Sequence, residues 1–187
     1  MCYKMKFNNK ENERIILPDG RIIWLSRACA VVITVWCIVE NTPYLLLGKR
    51  GCGCPDEVGK WNLPCGYLDW DETLSEAAER EVFEETGVDI RSVQQGRGDT
   101  IINNHMNYPW KISSSINGRK NTKQNISHHF ALVYKADELA ELSTAHCEPD
   151  EVSDLKWITQ DEINDFDYAF NHLEVIWEFL DKGKVLL

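Results

Sequence analysis

The sequence predicts an α/β chain of the α+β type, and three observations carry that prediction. Val31-Val32-Ile33-Thr34-Val35 is a β-branched run inside a nearly continuous apolar stretch from Ala28 to Val39, as expected of a central strand buried on both faces. A Glu-rich segment from Thr73 to Gly87 carries both the start and stop signals of a helix. Near the C-terminus, Asn171 to Lys182 repeats Leu173, Ile176, Trp177 and Leu180 at helical spacing.

The remaining elements follow in order. Residues 1–20 are polar and irregular and end in a turn at Pro18-Asp19-Gly20. Arg21 to Trp24 reads as a short edge strand. Asn41-Thr42-Pro43 reads as a turn from the apolar strand into a second one, Tyr44 to Leu47, giving a hairpin. Gly51 to Lys60 is a loop, and Trp61 to Leu68 leads into the Glu-rich helix. His128 to Lys135 and Leu155 to Ile158 are further strands, and Asp161 to Asp165 opens a helix. His128 and His129 alternate along their strand, so one of them turns inward as a core histidine. The stretch from Gly96 to Asn125 is long and polar, yet contains His105, Tyr108, Pro109, Trp110 and the basic Arg97, Arg119, Lys120 and Lys123. It reads either as an insertion or strand hairpin without a ligand role, or as a substrate loop. In the second case Trp110 or Tyr108 stacks on a base while Arg or Lys meets phosphate.

Composition narrows the function. The length of 187 residues and a hydrophobic content of 43% suit a single domain spanning 1–187. A formal charge of −10 argues against general affinity for nucleic acid or acidic membranes. A chain this acidic needs a divalent cation to hold a polyphosphate. Seven cysteines without regular spacing read as reduced thiols of a cytoplasmic protein. Neither a signal peptide nor an apolar run of membrane-spanning length is evident. Cys52-Gly53-Cys54 with Cys65 lacks a fourth ligand at zinc-site spacing.

The Glu-rich helix breaks the rules of a surface helix. Thr73 with Glu76 forms a capping box, and Gly87 supplies the left-handed stop. Taking Leu74 as zero and about 100° per residue, Ala77 lies at about −60°, Ala78 at about +40° and Val82 at about +80°. On the same count Glu81 falls at about −20°, Glu85 at about +20° and Glu84 at about −80°. Three carboxylates therefore continue the core-facing stripe, two of them as like charges at i, i+4 near the helix C-terminus. Such a cluster calls for a counter-charge, and an all-oxygen set without thiolate or imidazole favours Mg²⁺ or Mn²⁺. Gly66, in the preceding loop, lets backbone approach a ligand closely.

The complete pattern runs Gly66, five residues, Glu72, seven residues, Arg80-Glu81-Val82, one residue, Glu84-Glu85, one residue, Gly87-Val88. It resembles the box of the Nudix hydrolase family. Tyr44 to Arg50 is similar to that family's early strand. Trp61-Asn62-Leu63-Pro64-Cys65-Gly66 is similar to its approach to the box, except that Cys65 stands where glycine is usual. Glu151 to Ile163 is similar to the strand and helix start that close the fold. The resemblance implies an α/β/α sandwich with a mixed central sheet. It implies a divalent-metal-dependent hydrolase that cleaves a nucleoside diphosphate linked to another moiety, by water attack at phosphorus. Glu81, Glu84 and Glu85 would bind Mg²⁺ or Mn²⁺ with the Gly66 carbonyl, and Arg80 would orient them. The base is a box glutamate, or Glu148 or Glu151 from a later loop. Arg50 meets phosphate or pairs with Glu72. Many members are dimers, so a homodimer is compatible. Two other functions fit the same pattern: a catalytically silent module that senses a nucleotide, and an isoprenoid diphosphate isomerase using Cys65.

Overall fold

The computed structural model describes residues 13–25, 28–95, 99–116 and 124–183. Its centre is β3 (Ala28–Val39), whose run from Val31 to Ile38 is buried throughout. Antiparallel to it lies β4 (Thr42–Arg50), and parallel to it β9 (Gln124–Lys135). The sheet continues outward to β10 (Val152–Thr159) beside β4 and to β7 (Thr100–Asn104) beside β9. Three short strands complete the eight: β5 (Trp61–Asn62) on β4, β6 (Cys65–Tyr67) on β3, and β8 (Lys111–Ile116) on β9. One parallel pair among antiparallel ones makes the sheet mixed.

Alternation along β3 builds two cores. Val31, Ile33, Val35 and Cys37 meet Ala77, Ala78 and Val82 of α1 (Leu74–Thr86) and Ile90 and Val93 of α2 (Ile90–Gln94). Val32, Trp36 and Ile38 meet Val175, Ile176 and Phe179 of α3 (His172–Asp181) on the opposite face. Helix, sheet, helix is the sandwich expected.

Several boundaries differ from the sequence reading. Part of the irregular segment 1–20 is strand: β1 (Glu13–Ile16) pairs with β2 (Ile22–Leu25) around the Pro18-Asp19-Gly20 turn. The β3–β4 turn falls at Glu40 and Asn41, with φ of 50° and 67°, and not at Asn41–Pro43. Pro43 is inside β4, paired with Ile38. Its missing N–H costs nothing to β10, whose pairing stops at Tyr44. The helix at Asp161 is a 3₁₀ turn, Gln160–Asp165. The stretch from Gly96 to Asn125 is not one long loop, because β7 and β8 lie within it. Arg97, Arg119, Lys120 and Lys123 lie outside the described residues.

Candidate active site

Helix α1 starts and stops where its sequence dictates. Thr73 Oγ1 accepts from the Glu76 N–H at 3.3 Å, and Glu76 Oε2 accepts from the Thr73 N–H at 2.8 Å. Gly87, at φ 76°, donates its N–H to the Phe83 carbonyl. Ala77, Ala78 and Val82 are fully buried, and the same face runs on into Glu81 and Glu85, 8% and 4% exposed. Glu84, at the edge of the stripe, is partly exposed. The helical phase has carried two carboxylates inward.

Arg80 gathers the surrounding acids. Its guanidinium meets Glu72 at 2.7 Å, Glu81 at 2.8 Å and Glu84 at 3.0 Å, and donates to the Tyr67 carbonyl at 3.1 Å. The Arg80 bond also holds the Glu72 carboxyl below its ordinary range. Glu72 further accepts from the Asp69 N–H at 2.7 Å, which fastens the loop before the helix. Arg50 pairs with Asp56 and not with Glu72: it bonds the Asp56 carboxylate at 2.9 Å and the Asp56 carbonyl at 3.1 Å, with Phe170 stacked 5.0 Å away.

One guanidinium does not balance this many acids. Burial pushes the Glu81 carboxyl up to about 7 against the pull of Arg80. Glu85 is raised well above the ordinary range by burial first, then by the charges of Glu81 and Glu151. Glu151 is itself raised, by burial and by Glu148. The segment before β10 thus brings its acid to the cluster, and two contacts to α1 fix that segment. His146 stacks on Phe83 at 4.5 Å, and the Ser143 N–H donates to the Thr86 carbonyl at 2.9 Å. On its other side, the N–H groups of Gly51 and Gly53 donate to the carbonyls of Glu151 and Asp150 at 2.7 and 2.8 Å. Glu148 is exposed.

The two aromatic candidates separate. Trp110 packs in the α3 core, 5.2 Å from Phe179 and 5.9 Å from His129, across the sheet from α1. That packing corrects its reading as a ring in a substrate loop free to stack on a base. Tyr108 is 81% exposed in the turn between β7 and β8. His129 is the inward histidine, bonded to Ser113 at 2.9 Å. Cys65 is held with its thiol well above the ordinary range by burial and by Glu85. A thiol kept protonated is a poor nucleophile, which disfavours the isomerase chemistry.

Asn62 and His172, which the sequence does not mark as site residues, both hold the segment that leads into the strand carrying Gly66. Asn62 Nδ2 bonds the Leu63 carbonyl at 2.8 Å and Cys65 Sγ at 3.4 Å, and His172 Nδ1 accepts the Leu63 N–H at 3.0 Å. No local pattern marks either one. His172 is 109 residues from its partner in sequence.

The cluster fits a divalent ion by its donor chemistry: carboxylate oxygens, two of them desolvated, and Gly66 beneath Glu81. A Cβ at Gly66 would lie 2.1 Å from Glu81 Oε1, so only glycine lets that carboxylate settle here. Among the described residues no three His, Cys, Asp or Glu side chains stand already converged on one point. Glu81 and Glu84 are turned to Arg80 instead.

A mixed sheet between two helical layers, with buried carboxylates on the sheet side of α1 and Gly66 against them, defines a class of α/β/α protein built around an acid cluster. Comparison with known proteins identifies which one. The NUDIX domain family model matches residues 30–179. Phosphatase NudJ of Escherichia coli K12 is 64% identical over 58 residues, which is 30% of this chain and 35% of that protein. The chain therefore matches only about a third of the length of that relative. The Nudix domain of Shewanella oneidensis NrtR, solved with ADP-ribose, superposes with a TM-score of 0.59 at 19% identity, over 89% of this chain and 92% of that one. A bifunctional NMN adenylyltransferase/ADP-ribose pyrophosphatase from Francisella tularensis, solved with AMP and a manganese ion, gives 0.59 at 25% identity, over 84% and 42%. The chain belongs to the Nudix family.

Proposed function

We propose that this protein is a Mg²⁺- or Mn²⁺-dependent pyrophosphohydrolase acting on a nucleoside diphosphate linked to another moiety, with ADP-ribose the first substrate to test. The observation that carries the proposal is the burial of Glu81 and Glu85 on the core side of α1, with Arg80 bridging Glu72, Glu81 and Glu84. The two structural relatives solved with ADP-ribose or with AMP and manganese support the choice of substrate class and ion. Unpaired thiols at all six described cysteines support a reducing compartment, hence the cytoplasm.

Glu81, Glu84 and Glu85 would hold the ion, with the Gly66 carbonyl as a further oxygen. When bound, a divalent ion neutralises phosphoryl charge and acidifies a coordinated water. Arg80 keeps the glutamates aligned while Glu72 anchors its far side. Glu151 takes the proton of the attacking water: it is half-buried, raised in pKa and coupled to the box acids, where Glu148 is exposed. Arg50 is the candidate phosphate contact, because its positive charge already acts on Glu85 and Glu151. Tyr108, with its ring exposed, is the candidate base contact.

The test is Glu85→Gln, assayed for Mg²⁺-dependent release of AMP from ADP-ribose. Turnover should fall by about a thousandfold, equivalent to about 4 kcal/mol of transition-state stabilisation, while circular dichroism stays native. Undiminished turnover in the variant would remove the metal assignment.

A further inference from the structure

We propose that His172, at the start of α3 on the far side of the sheet, is a positioning residue for the acid cluster, acting through the strap Leu63-Pro64-Cys65-Gly66. The inference rests on the metal-dependent reading of that cluster.

The strap is fixed at every residue. The Leu63 N–H donates to His172 Nδ1 at 3.0 Å, and the Leu63 carbonyl accepts from Asn62 Nδ2 at 2.8 Å. The Pro64 carbonyl accepts from the Ile33 N–H of the central strand at 2.9 Å. The Cys65 N–H donates to Glu85 Oε2 at 3.2 Å, and the Glu81 carboxylate fills the place of the missing Gly66 side chain. One end of this four-residue segment therefore meets both buried carboxylates, and the other end is set by an imidazole from the opposite helical layer. Proline in the middle removes one backbone torsion from adjustment. A rotation of the Leu63 peptide therefore has one torsion fewer in which to be absorbed before it reaches Cys65.

The contact also demands a particular chemistry. Leu63 and His172 are 0% and 3% exposed, so the Leu63 N–H has no water to turn to. An apolar side chain of equal size at 172 would fill the space yet leave that donor unpaired, which is unfavourable wherever backbone is buried. The peptide would rotate toward another acceptor and carry the Cys65 N–H off Glu85. Because Nδ1 accepts, the imidazole proton sits on Nε2 and the ring is neutral. Asparagine places its Oδ1 where histidine has Nδ1, so it preserves the acceptor and little else.

The experiment compares His172→Leu with His172→Asn, reading Mn²⁺ affinity by electron paramagnetic resonance on the substrate-free protein and kcat and KM with ADP-ribose. His172→Leu should weaken Mn²⁺ binding and lower kcat by about tenfold each, the scale of losses when an outer partner of a metal ligand is removed, with KM little changed. His172→Asn should restore both to within about threefold of the unmodified protein on the same scale. Asn62→Ala, which loosens the same strap from within, should show the same KM-sparing loss and serves if His172→Leu does not fold. Equal impairment in the Leu and Asn variants reduces His172 to packing and overturns the proposal. Undiminished Mn²⁺ binding in His172→Leu, or in Asn62→Ala where His172→Leu does not fold, overturns it as well and leaves the metal reading intact. An unmodified protein that holds no Mn²⁺ overturns both readings together.

Discussion

Two glycines with equally crowded surroundings separate geometry needed for chemistry from geometry needed for folding. A Cβ at Gly66 would fall 2.1 Å from Glu81 Oε1, the mobile end of a long side chain. A Cβ at Gly51 would fall 2.1 Å from the Asp150 carbonyl oxygen, which belongs to backbone. Glu81 can swing away from an added methyl, whereas the Asp150 peptide must drag its loop. Gly66→Ala should therefore fold with little loss of stability and lose about a hundredfold in Mg²⁺-dependent turnover, as displacement of a reacting-centre group by about 1 Å does. Gly51→Ala should lower unfolding free energy by about 1–3 kcal/mol, the scale of overpacking, and also slow turnover by shifting Glu151. Denaturant midpoints beside assays of kcat separate the two. Equal stability losses in both variants would contradict the distinction.

Among the elements, α1 depends on signals within its own sequence, and that is why it was legible. Its cap, its stop at Gly87 and its inward carboxylates follow from local chemistry and a fixed turn per residue. Thr73→Ala should cost about 1 kcal/mol, read from the shift of a urea midpoint at constant slope. The strand β3 was legible for the same reason, since its apolar run is continuous. The short strands were not. β5 and β6 have two and three residues, too few for any period to register, and exist because β4 and β3 offer them partners. β8 reads Lys-Ile-Ser-Ser-Ser-Ile with Ile112 exposed, so no buried face appears in its sequence. Pairing with β9 makes it a strand, and that pairing also sends Trp110 toward α3. An aromatic residue within a long polar stretch suggests a stacking role for Trp110, but neither the length nor the residue types of that stretch specify which face the ring takes. Glu151 lies between these cases: its residue type was legible, but its proximity to the box required the loop docking that Gly51 and Gly53 supply.

At the scale of the whole molecule, two histidines, His129 and His172, are buried within the fold, and this makes stability depend on pH. Burial holds His172 down to about 3 and His129 to about 4, each from an ordinary 6.5. The unfolded chain therefore takes up these protons at a pH where the native chain refuses them. Stability from this source is complete above about pH 6.5 and is lost as pH falls toward the native values, by about 1.4 kcal/mol per pH unit for each histidine. Other groups titrate in the same range. Glu81 and Glu85, raised by burial, oppose the trend where they are free of metal, because the native chain then holds protons that the unfolded chain has released. A single unfolding curve against pH mixes these contributions, but a difference between two proteins isolates one. His172→Asn keeps the acceptor for Leu63 and removes the titrating ring. The stability of the unmodified protein minus that of the variant should stay constant above pH 6.5. Between pH 6.5 and 4.5 it should shrink by about 1.4 kcal/mol per unit. Guanidinium unfolding of both proteins at four or five pH values, in chelator, measures it. A difference that stays flat across that window would mean that the native protein protonates His172 as readily as the unfolded chain does, and that the imidazole is not held neutral between the layers.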